Sequence, residues 1–141
     1  MERKLILFLT LMLSGRAMTL AFISRAGGSG IGDPPAAWLM PLIGDAVIGV
    51  SALLIAYLVW QHSGLGVWLA LIIWNALAIW DALSAFIIHL TNPWPDFFMI
   101  QTFGSSMFFM AVAMHGLILW LAFRPNIKQQ LLASESSLFG V

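Results

Sequence analysis

Four long apolar runs govern what this chain can fold into: Leu5 to about Ser24, Ala36 to Gln61, Gly66 to Leu90 and Phe97 to Phe123. A hydrocarbon core of ~30 Å is crossed by about 20 helical residues at ~1.5 Å each, and every run reaches that length. In lipid only helices and closed barrels satisfy their own backbone groups. An all-α, polytopic four-helix membrane bundle is therefore expected. The chain is 61% hydrophobic and 9% charged, against about 25% charged residues in a soluble domain, so a water-facing surface could not be built from it.

The connections set the topology. His62-Ser63-Gly64-Leu65 and Thr91-Asn92-Pro93-Trp94-Pro95-Asp96 are short turns, the second stiffened by proline, which cannot continue a helix. Spans two, three and four should form an antiparallel meander in one domain, residues 1–124. The tail, 125–141, is read as polar and cytoplasmic, with little support for a short interfacial helix over Lys128–Ser137. Met1-Glu2-Arg3-Lys4 before an apolar run has the charge pattern of a secretion signal. The run continues past Arg16 to Ile23 without a clear small-x-small site, so an uncleaved span is expected. Arg3, Lys4, Arg124 and Lys128 flank one side and Arg25 the other, which predicts cytoplasmic termini in an inner membrane. Trp38, Trp60, Trp68, Trp94 and Trp120 sit near span ends, as an aromatic belt would.

Against this background three charges stand out. Arg16, Asp45 and Asp81 lie eight or nine residues from the same ends of their spans, with Ser105 and Ser106 at matching positions on span four. That is ~12–14 Å inside the runs. Faces agree with depth. Pro41, Asp45, Gly49, Ala52 and Ala56 make one small and polar stripe, and Gln101, Gly104, Phe108, Ala111 and His115 another. Intramembrane charges are costly unless paired or hydrated. One guanidinium between two carboxylates leaves an excess of one negative charge, and neighbouring carboxylates tend to share a proton. Such a cluster could bind a ligand, ion or lipid head group, relay a proton, or simply lock helices together.

A second, inner layer is expected from Asn75 and His115, with Ser51 nearby. Depth counting puts His115 two or three turns from Asp45 and Asp81. His62 and His89 are expected to be interfacial and solvated. The local run Ala111-Val112-Ala113-Met114-His115, with Trp120 and Arg124-Pro125, resembles the helix end of light-harvesting β polypeptides. The resemblance spans fewer than twenty residues, its histidine-to-arginine spacing is longer than in that family, and the other spans have no counterpart. It implies a haem or pigment ligand at His115, the lowest-ranked function.

Other chemistries lose their means. There is no cysteine, hence no disulfide, thiolate metal site or cysteine nucleophile. No Walker, dinucleotide or zincin motif occurs. Gly27-Gly28-Ser29-Gly30-Ile31-Gly32 lacks the lysine of a phosphate loop and reads as a linker or a lid. The net charge is zero and no basic run serves nucleic acid. The candidate binding residues are Arg16, Asp45, Asp81, Ser105, Gln101, Asn75 and His115, with no metal and no identifiable cofactor. The leading expectation is a binding or transport module, needing an oligomer to form a pathway. The alternative is an accessory subunit of a larger membrane complex. The lipid bilayer is a partner in either case.

Overall fold

The computed structural model of the protein describes residues 2–23, 36–94 and 98–132. The loop over 25–35, Asp96 and the tail beyond Leu132 lie outside the described residues. Those residues are helical, with no strand, and four segments are long and apolar enough to cross a membrane: Glu2–Ile23, Leu39–Gln61, Leu65–Thr91 and Ser106–Phe123. The protein is a multi-pass membrane protein built as a four-helix bundle.

Span one starts as α1 (Glu2–Leu13) and tightens into a 3-10 segment at Ser14–Thr19. A tightened stretch inside a span often marks strain or a functional hinge. Here it surrounds Arg16 and packs closely on α2 (Leu39–Gln61). The close approach requires Gly49, because a Cβ there would collide with the backbone of Arg16 and Ala17. The turn into α3 (Leu65–Thr91) uses Gly64 at φ 118°, a conformation that favours glycine.

Span four departs from the expected single helix over 97–123. It is broken into α4 (Phe98–Phe103) and α5 (Ser106–Phe123). Gly104 adopts φ 56°, and its N–H closes on the Ile100 carbonyl at 2.7 Å. This is a left-handed helix stop inside an apolar run.

Residues 125–132 also differ from the expected polar tail. Pro125 opens α6 (Pro125–Leu132), a position where its missing N–H costs nothing. Ile127 and Leu131 are buried in the bundle's larger apolar cluster. The Gly64 N–H bonds to Leu131 O at 2.5 Å, tying α6 under the α2–α3 turn. At this same end Arg124 pairs with Glu2 at 2.8 Å, and Arg3 donates to the carbonyls of Val59 and His62 at the end of α2.

Apolar packing falls into two clusters. The larger, with Ile6, Ile55, Leu71 and Ile118, fills the Glu2 end; the smaller holds Trp38, Leu42, Ala85, Trp94 and Phe108 at the opposite end. Trp38 and Trp94 are thus core residues rather than belt residues, while Trp60 and Trp120 are exposed. His89 likewise leaves the expected solvated position, standing between Trp38 and Phe108 with ring centroids 6.3 and 5.4 Å away. The charged residues Arg16, Asp45 and Asp81 lie between the two clusters.

Candidate functional site

Arg16 is the hub of that polar layer. Its Nε donates to Asp45 Oδ1 at 2.6 Å, and its Nη2 donates to Asp81 Oδ2 at 2.6 Å while also contacting Asp45 Oδ1. Its Nη1 lies 3.1 Å from His115 Nε2. Arginine can only donate, so Nε2 must accept, which makes the ring neutral with its proton on Nδ1. That proton is donated to Asn75 Oδ1 at 2.8 Å, and Asn75 Nδ2 donates to Leu71 O at 2.7 Å. The chain of bonds thus runs from two carboxylates through a guanidinium and an imidazole to a buried amide. His115 and Asn75 are fully buried.

Four elements hold the five members. Arg16 sits on the 3-10 segment, Asp45 on α2, Asp81 and Asn75 on α3, and His115 on α5. Thr19 steadies the segment by donating to the carbonyls of Arg16 and Leu42 at 2.8 and 3.2 Å. Gly44 makes room for Asp81, since a Cβ there would run into the carboxylate. Neither Gly44 nor Thr19 was among the expected site residues. Gly44 stands beside Asp45 in the sequence, and glycine next to an intramembrane carboxylate was the available signal.

The expected separation of His115 from the charged layer is overturned. Counting Cα positions omitted the direction of the side chains. Helical side chains lean towards the helix N-terminus. Span one and α5 run in opposite directions, so Arg16 and His115 lean towards each other and close the gap. The shortened α5 also puts His115 near its middle, nine residues from Ser106 and eight from Phe123.

Two other expected members are not in the cluster. Gln101 is exposed, and Ser105 is half-buried and makes no hydrogen bond to the three charged side chains among the described residues. The break at Gly104 explains this, because it carries the start of span four out of register with the rest. Ser106 bonds to Phe103 O at 2.5 Å instead. Ser51 Oγ accepts a hydrogen bond from Trp74 Nε1 at 2.9 Å, and the Trp74 ring packs on His115 with centroids 5.2 Å apart.

A cavity of about 300 Å³ opens from this layer, between span one, the start of α2 and span four. Arg16 and Asp45 are the charged residues on its wall, and Phe22, Trp38, Trp94 and Phe108 line its far end. Six of the chain's eight methionines line the rest. Unbranched thioether side chains adapt to irregular shapes, which suits a surface meant to accept variable apolar groups. Met12, Met18 and Met110 are 56%, 62% and 51% exposed. They mark a lateral mouth between spans one and four.

No protein-family model, curated protein or solved structure matches this chain.

Proposed function

We propose that the protein is a membrane-embedded binding module that takes up a small amphipathic molecule sideways from the bilayer. The apolar part lies among the methionines and the polar part meets Arg16 and Asp45. The observation that carries this reading is the cavity itself, because an apolar space of about 300 Å³ ends on a charged pair. Ligand sites are commonly apolar hollows of ~300–1,000 Å³ with a few convergent polar groups. In this reading Arg3, Lys4, Arg124 and Lys128 face the cytoplasm, and the membrane is an inner membrane. A single bundle supplies a pocket; passage across the bilayer requires an oligomer.

One observation favours a second reading, in which the charged layer is interhelical glue in an accessory subunit. Four of the five guanidinium N–H groups are already directed at Asp45, Asp81 and His115. The pigment alternative has the least support, since both nitrogens of His115 are engaged and neither offers a lone pair to a metal.

Native mass spectrometry on protein extracted in mild detergent, with an absorbance spectrum of the same sample, separates these readings. The binding module predicts a colourless protein with a retained small mass that is lost in Ala111→Trp, a substitution on the cavity wall. A bare protein recovered only with other chains supports the accessory subunit. A visible band supports a pigment.

A further inference from the structure

We infer that the occupant of the cavity is a small lipophilic cation, an alkyl or aryl ammonium whose head stands against Asp45. This assignment rests on the binding-module reading and adds the sign of the ligand's charge.

The cluster holds one fixed cation, Arg16, and two carboxylates, Asp45 and Asp81. His115 is neutral, because its Nε2 accepts from Arg16. These four groups, one each from span one, α2, α3 and α5, are the charged and titratable side chains of the layer among the described residues. With both carboxylates ionised their sum is one negative charge in excess, which one further positive charge would balance.

The excess is accessible from the cavity at one place. The side chains of Arg16, Asp81 and Asp45 are 12%, 15% and 27% exposed, and Asp45, unlike Asp81, is on the cavity wall. The most open charged group in the cluster is therefore a carboxylate. Both Arg16 nitrogens that reach Asp45 land on Oδ1, so Arg16 makes no bond to Oδ2. Arg16 is largely spent on its partners and offers little to an anion.

Bilayer phospholipids fit poorly. Each carries a phosphate, whose negative charge would have to sit close to the two carboxylates even where an ammonium in the same head group balances it. The site is also deep: Asp81 is ten residues, or ~15 Å, from the end of α3 at Thr91. A head group would have to leave the interface to reach it. A small hydrophobic ammonium needs only one short apolar tail in the cavity.

The test uses the full-length protein in discs of uncharged lipid and three probes with the same tail: decyltrimethylammonium, decanol and decyl sulfate. Binding is followed by isothermal calorimetry. The expected result is saturable binding of the ammonium, at least about tenfold tighter than the sulfate. Asp45→Asn leaves Arg16 paired with Asp81 and an acceptor beside Arg16, so it should fold, and it should erase the preference between the charged probes. The wild-type comparison stands alone should that variant fail to fold. Equal or tighter binding of the sulfate in wild type, blocked by Ala111→Trp, overturns the cation assignment and leaves the cavity reading standing. So does a preference that survives Asp45→Asn. Absence of saturable binding by all three probes overturns both.

Discussion

Replacing Arg16 with leucine should damage the bundle more than removing the whole charged set. Arg16→Leu deletes the bonds to Asp45, Asp81 and His115 together. It leaves two carboxylates facing each other without a cation. Removing one partner of a buried pair costs about 3–5 kcal/mol, chiefly through the stranded charge. Here Asp45 and Asp81 keep 27% and 15% exposure, which shifts the expectation to the lower end, about 3 kcal/mol. Arg16→Leu combined with Asp45→Asn and Asp81→Asn strands no charge and should recover roughly 2 kcal/mol. The assay is reversible unfolding in mixed micelles, followed by helical circular dichroism. The triple variant must unfold at a higher denaturant fraction than the single one. Coincident transitions, or a single variant as stable as wild type, would refute the pairing argument.

Three further outcomes follow from the packing. Gly49→Ala gains up to about 1 kcal/mol of helix propensity but forces a methyl into the backbone of Arg16 and Ala17. Overpacking of about 1–3 kcal/mol should win, lowering the melting temperature in detergent; a rise would show that span one can back away freely. His115→Phe leaves the Asn75 Oδ1 without its donor and should cost about 1–3 kcal/mol. Adding Asn75→Leu should restore part of it, and an unchanged melting temperature on that addition would count against the relay of bonds. Ile127→Ala should loosen α6, seen as faster amide exchange over 125–132. Lys128→Ala, which removes only an ammonium 4.9 Å from the Trp68 ring, should change exchange little.

The spans were legible because long apolar runs have few other solutions in water or lipid. The facing stripe of Asp45, Gly49, Ala52 and Ala56 was legible as well, since helical spacing puts small residues on one side, and Gly49, Ala52 and Ala56 are all buried. Equal depth brought Arg16, Asp45 and Asp81 to notice, and the folded chain brings them into contact. Depth failed for His115 because residue counting locates Cα atoms, whereas arginine and histidine reach several ångströms along the helix axis. It failed for Ser105 and Gln101 because a glycine stop at Gly104 was read as part of a continuous helix. The sequence Gly104-Ser105-Ser106 was the clue to that break. The helix Pro125–Leu132 was discounted because its polar average hid two apolar residues four apart, Ile127 and Leu131, on one face. The cavity could not be read at all, since methionine fills cores and lines pockets with the same side chain.

The measurement that bears most directly on the binding-module proposal is methyl NMR of the protein with 13C-labelled methionines, titrated with decyltrimethylammonium. Met12, Met18, Met99, Met107, Met110 and Met114 line the cavity, while Met40 is 73% exposed away from it. Occupation of the cavity predicts saturable shifts in those six signals and a still Met40. Shifts that grow without saturation, or that move Met40 as much as the six, would contradict a binding site at Arg16 and Asp45.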